Sequence, residues 1–248
     1  MDKQLPVNNN EVVKEYLKML LEHGLYNEHM ETKELVDYIA HMEKHYHEMS
    51  KELNEIKNLL YSLQNPQTKS RLKKAVEKTD VIIKDGIDKV MNIKNEMISS
   101  MKDSIQSFKQ KGKEGVVKTI NILHFKEALM SVRKSFFYSM KQSQNLVQTA
   151  DMLTSEMRQA KSHLRSIGHI LFRKPTHIKT ADYSKLNIIQ KSARFIYHSL
   201  ERMTIQTTNM LHKLEDFEKT SVKGQIRYLE NIVKDTHMPI NKEITKSR

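Results

Sequence analysis

From Leu35 to Leu63 the apolar residues fall at alternating intervals of four and three: Leu35, Ile39, Met42, Tyr46, Met49, Leu53, Ile56, Leu60 and Leu63. A repeat of two apolar positions in seven lays one narrow stripe along a helix, and so long a stripe must be covered by other helices. The same count runs through Val132, Phe136, Ser139, Ser143, Leu146, Ala150, Leu153, Met157, Ala160, Leu164, Ile167 and Leu171, where only the two serines are polar. It returns from Leu186 through Ile189, Ala193, Ile196, Leu200, Met203, Thr207, Met210 and Leu214 to Phe217. A less regular stripe holds Leu72, Val76, Ile83, Val90, Met97, Met101, Ile105 and Phe108, with Thr79 and Gly86 as weak points.

Only 6 Gly and 4 Pro interrupt 248 residues, and no alternating Val/Ile/Thr run lies between turn signals, so strands are not expected. The fold class is all-α: an elongated antiparallel bundle, or coiled coil of long helices, with a short N-terminal helix. A partly open coiled coil that completes its core as a homodimer is the alternative.

Local signals divide the chain. Asn10 suits an N-cap for "EVVKEYLKMLLEH", and Gly24 suits the left-handed residue that ends that helix. Thr32 is the expected cap of the second helix, "NP" at Asn65 and Pro66 its end, and Thr68 the start of a third running to about Lys111. Gly112 and Gly115 in "KGKEG" break the pattern before a helix from Val116 to Phe172, which stops at "RKPTH" around Pro175. Thr180 or Asp182 opens another, to about Thr220, and Ser221 caps a short last helix before Pro239. The expected organisation is an N-terminal helix and linker (1–31), a helical hairpin (32–111), two long helices continuing the bundle (112–220), and a short helix with a polar tail (221–248).

Cysteine is absent, which removes disulfides, thiolate catalysis and thiolate metal sites. The opening "MDKQLPVNNN" lacks a signal-peptide core, and no stretch approaches the ~20 apolar residues that cross a bilayer, so a cytoplasmic location is expected. One stretch, "HMEKHYHE", raises metal chemistry: His41, His45 and Glu48 share one strip of a helix. In the heptad register, however, His41 and Glu48 fall at outer positions and His45 flanks the seam, where no enclosed pocket orients ligands. They are a weak metal candidate, and the motif is not HExxH. "KGKEG" lacks the spacing of a phosphate loop. No enzyme activity and no cofactor is expected.

Charge is the more informative feature. The chain carries a formal +12, but residues 1–65 hold 7 Lys/Arg against 12 Asp/Glu. Such asymmetry marks separate partners for the two regions or an attraction between them. Acids including Glu22, Glu28, Glu31 and Glu34 would meet one partner. Between Glu156 and Asp182 no acid occurs, while Arg158, Lys161, Arg165, Arg173, Lys174 and Lys179 do, with His163, His169 and His177 among them. Lys161, Arg165 and His169 form one i,i+4 row opposite the seam. A strip of one sign suits a polyanion or an acidic protein, and equally serves as a solvated face. A second, weaker cluster is Lys109, Lys111 and Lys113. Nothing supports base-reading specificity, so nucleic acid is a candidate partner without sequence preference. In "SFFYSM" Phe136 sits on the seam and Phe137 and Tyr138 turn off it; packing within the molecule is the expectation, and docking of another helix the alternative.

The stretches "NNNEVVKEYLKMLLEHG", "ELVDYIAHMEKHYHEM" and "SVKGQIRYLENIV" resemble an uncharacterised family of helical accessory proteins from conjugative and other mobile elements of Gram-positive gut bacteria. The resemblance implies that setting and carries no functional residue. The expected function is binding or scaffolding, as an accessory or host-interaction factor with a protein partner and a basic strip. A peripheral protein on anionic lipid and a metal-dependent enzyme are the alternatives.

Overall fold

The computed structural model describes residues 6–111, 122–172 and 181–220, which form a 3-10 turn, Val7–Asn9, and five α-helices. The helices are α1 (Glu11–Glu22), α2 (Tyr26–Tyr61), α3 (Pro66–Lys111), α4 (Ile122–Phe172) and α5 (Ala181–Thr220). At ~1.5 Å per residue the 46 residues of α3 extend about 70 Å. No strand occurs among the described residues.

Helices α2 to α5 close a ring within the one chain: α2 packs on α3 and α5, and α4 packs on α3 and α5. Cross-helix pairs give the directions. Lys57 meets Asp80 while Glu43 meets Lys94, so α2 and α3 run antiparallel. Arg71–Glu156 and Lys89–Ser135 do the same for α3 and α4. Asp151–Arg194 and Lys126–Glu215 serve α4 and α5, and Glu34–Lys213 with Gln64–Asp182 serve α2 and α5. The result is an up-down-up-down four-helix bundle, with α1 laid across α2 and α3 at one end.

The stripes read from the sequence form its core. The eight α2 positions from Leu35 to Leu60 are buried, as are Leu63 in the turn that follows and the α5 positions from Leu186 to Leu214. Polar seam residues are tolerated because a hydroxyl in a helix can bond the carbonyl one turn back. Thr79 bonds Ala75 O, Ser143 bonds Met140 O and Thr207 bonds Met203 O; Thr207 also meets the Tyr38 hydroxyl across the α2–α5 interface. Gly86, a weak point in the sequence, proves to be a socket for the Tyr46 ring. A Cβ there would lie 1.9 Å from Tyr46 Oη.

Several boundaries move. Asn10 caps α1 as expected, its Oδ1 accepting from Val12 N at 2.9 Å, and Gly24 takes φ 73°. Leu25 N then bonds Leu20 O, closing the end in three residues, so α2 starts at Tyr26 and Thr32 is a buried residue inside it. Pro66 begins α3 rather than merely ending α2. Asn65 caps that helix through Gln67 N and Thr68 N, and proline at the first helical position loses no needed donor. The interruption at Gly112 and Gly115 and the expected helix after Ser221 lie outside the described residues.

Along α4 the seam is buried from Phe125 to Leu153, Met157 is half-buried and Ala160 is exposed. The expected continuation of a covered seam through Ala160 is thereby corrected. The cause is the α2–α3 turn: Glu156 already pairs with Arg71, five residues into α3, so little of the hairpin remains to cover the later turns of α4.

Candidate functional site

The bundle end containing the α2–α3 turn is built around Asp182. Its buried carboxylate accepts from Gln64 N at 3.1 and 3.0 Å and from Asn65 N at 3.1 Å. Lys185, one turn further along α5, donates to Ser62 O and lies 3.8 Å from the same carboxylate. Two peptide N–H groups in a tight turn have no helical partner, and this aspartate supplies one from another helix. The start of α5 is thus clamped to the turn, which fixes its register against α4.

That register brings Tyr183 of α5 against the basic strip of α4. Arg158, Lys161, Ser162, Arg165 and Tyr183 line a shallow cleft of about 260 Å³. The Lys161 ammonium lies 5.3 Å from the centroid of the Tyr183 ring. The polar side chains of Arg158 and Asn187 lower the Tyr183 phenol from its ordinary value of 10.0, burial opposes them, and the charges of Arg158 and Lys161 add to the lowering. Among the described residues no carboxylate pairs with Arg158, Lys161 or Arg165, whereas neighbouring Arg71, Lys73 and Lys185 are each matched to an acid. Three cations, two hydroxyls and one aromatic face therefore converge, with no acid in the lining.

Arg158, Lys161 and Arg165 come together as the strip anticipated; Arg173, Lys174 and Lys179 lie outside the described residues, as does the side chain of His169. Tyr183 was missed. The only signal for it is its place two residues after the start of α5, which becomes informative once the antiparallel register with α4 is known.

Other sequence candidates are dispersed or neutralised. His41 is exposed; half-buried His45 places Nδ1 3.7 Å from Glu48 Oε2, beyond hydrogen-bond reach. Burial holds the His45 imidazole below its usual value, His41, Lys44 and Arg202 adding to the effect and Glu48 opposing it. Among the described residues no three His, Cys, Asp or Glu side chains are grouped to hold a metal ion. Lys109 is taken by Glu15 at 3.1 Å, and Lys113 lies outside the described residues. Phe137 and Tyr138 are 60% and 59% exposed, against the expectation of internal packing. They occupy the outer positions after seam residue Phe136, which neither α3 nor α5 covers.

The charge asymmetry of the sequence is in part an internal attraction. Acids of the first 65 residues meet lysines from the rest: Glu15–Lys109, Glu34–Lys213 and Glu43–Lys94. Glu31 remains half-buried, its carboxyl raised by burial and by neighbouring Glu28.

A model of a family of unknown function matches residues 9–248. The chain belongs to that family, DUF6674. The matched span takes in the whole four-helix ring, the Asp182 clamp and the cleft, so these are features of a DUF6674 domain that fills nearly the entire chain. No curated protein and no solved structure matches it.

Proposed function

We propose that this DUF6674 protein is a non-enzymatic helical binding or scaffold protein that engages a polyanion or an acidic protein through the basic end of its bundle. The observation that carries the reading is the cleft between α4 and α5, where Arg158, Lys161 and Arg165 converge without any acidic partner among the described residues. Elsewhere on the surface lysines and arginines are commonly matched to acids, as in Lys84–Asp80 and Lys89–Asp85. A solubilising face has no need to gather cations around hydroxyl donors and an aromatic ring. The lining contains donors and cations but no group placed as a base, so binding is the chemistry it supports.

The resemblance to accessory proteins of mobile elements in Gram-positive gut bacteria supports an accessory or host-interaction role, and the cysteine-free composition fits the reducing cytoplasm. Among the described residues no helix is long and apolar enough to cross a membrane.

The test is retention on immobilised heparin and on a polyglutamate-coated surface as salt is raised. Wild-type protein is expected to elute well above physiological ionic strength, and K161E/R165E to elute much earlier with unchanged far-ultraviolet circular dichroism. Equal retention of the two proteins removes the cleft from the reading.

A further inference from the structure

Building on the polyanion reading, we infer that the cleft binds a single-stranded nucleic acid: Arg158, Lys161 and Arg165 meet successive phosphates and one unpaired base lies on the Tyr183 ring.

Size narrows the ligand first. Pockets that enclose drug-sized molecules run from about 300 to 1,000 Å³. At about 260 Å³ and open to solvent, this cleft holds one piece of a longer molecule at a time. Spacing comes next. The three cations sit three and four residues apart on α4, so they succeed one another every ~4.5–6 Å along the axis. A row of that kind suits an anion that repeats along a chain. Two of the three are arginines, whose planar fork matches phosphate oxygens.

The aromatic ring then separates nucleic acid from other polyanions. The Tyr183 ring stands in the lining of the cleft beside the three cations. Lys161 lies over it at 5.3 Å. A stacked base is held more strongly than an exposed ammonium over an aromatic face, so a base displaces Lys161 and frees that cation for a phosphate. A paired base keeps its faces inside the duplex; a single strand offers one. Stacking tolerates every base, which accords with the lack of any base-reading motif. An acidic peptide or a lipid headgroup would use the cations and leave the ring idle.

Fluorescence anisotropy of the full chain with a labelled oligothymidylate of about 15 nucleotides tests this. Three phosphate contacts on a single strand predict a slope of about −2 for log K against log salt, reduced in magnitude by about 0.7 in K161Q or R165Q. Tyr183→Ala is expected to weaken binding about tenfold or more and leave the slope intact, while Tyr183→Phe keeps most of the affinity. A matched duplex should bind more weakly than the single strand. If heparin binds and Tyr183→Ala changes nothing with the oligonucleotide, the nucleic-acid inference falls while the polyanion reading stands. Tighter binding to a phosphopeptide or to anionic vesicles than to the oligonucleotide overturns it equally. If no polyanion binds, both fall.

Discussion

Replacing Gly86 by alanine should destabilise the bundle, although helix propensity alone predicts the reverse. Glycine within a helix costs about 1 kcal/mol relative to alanine, so an exposed Gly→Ala change would be stabilising. At Gly86 the added methyl would lie 1.9 Å from Tyr46 Oη, 2.2 Å from Cζ and 2.5 Å from Cε1. All three distances are far inside contact, so the ring itself must leave and not just its hydroxyl tip. Tyr46 is 2% exposed and its ring centroid is 5.9 Å from that of Phe136, which leaves little room to retreat. Overpacking of this kind costs about 1–3 kcal/mol beyond the propensity gain. For a chain of this size each kcal/mol lowers the melting temperature by about 2–4 °C, readable by circular dichroism. A double-mutant cycle identifies the cause. In a Tyr46→Leu background the ring is gone, and Gly86→Ala should become neutral or stabilising by up to about 1 kcal/mol. A Gly86→Ala protein, otherwise wild type, that melts higher than its parent would refute the socket.

Four further outcomes rest on the same packing. Tyr46 Oη has no hydrogen-bond partner among the described residues, so Tyr46→Phe should be neutral or stabilise by about 1–3 kcal/mol in urea unfolding; a clear loss would reveal a missed partner. Lys94, 3% exposed and 2.6 Å from Glu43, should cost about 3–5 kcal/mol when changed to Met alone, with much of that recovered by adding Glu43→Gln; equal stability of single and double variants contradicts this. Asp182→Ala strips the acceptor from Gln64 and Asn65, and their amide exchange should accelerate while core amides stay protected. Burial depresses the His45 value, so its contribution to stability is present above about pH 6.5 and lost as pH falls through the folded-state value; His45→Gln should flatten the decline in melting temperature between about pH 7 and 5.

The seams were legible because burial in a bundle follows a period that residue type alone reveals. Leu35 to Leu63 and Leu186 to Leu214 needed no partner to be identified as core. What the period omits is where coverage stops. Ala160 carries the same repeat as Ala150, yet one is exposed and the other fully buried, because α4 approaches the hairpin's turn between them. The start of α2 was misplaced for a local reason: the bond from Leu25 N to Leu20 O ends α1 so tightly that the next helix needs no side-chain cap. Phe137 and Tyr138 turn off the seam in the heptad register, and their exposure follows that register rather than the expected packing within the molecule.

The cleft depends on information that no single segment contains. The basic strip is visible in the sequence because acids are missing between Glu156 and Asp182, but a strip alone does not distinguish a ligand site from a solvated face. The distinction comes from Tyr183, whose position is set by two remote constraints. Arg71 holds Glu156, fixing how far α4 has travelled when it reaches the turn, and Asp182 holds Gln64 and Asn65, fixing where α5 begins. One anchor is the α2–α3 turn itself and the other lies five residues into α3, so α4 and α5 are both positioned against the same end of the hairpin and Tyr183 comes to lie beside Lys161. A slip of one residue at either anchor would turn the tyrosine by about 100° around its helix and leave the cations with no ring. The hairpin therefore sets the site's geometry without contributing any lining residue to it.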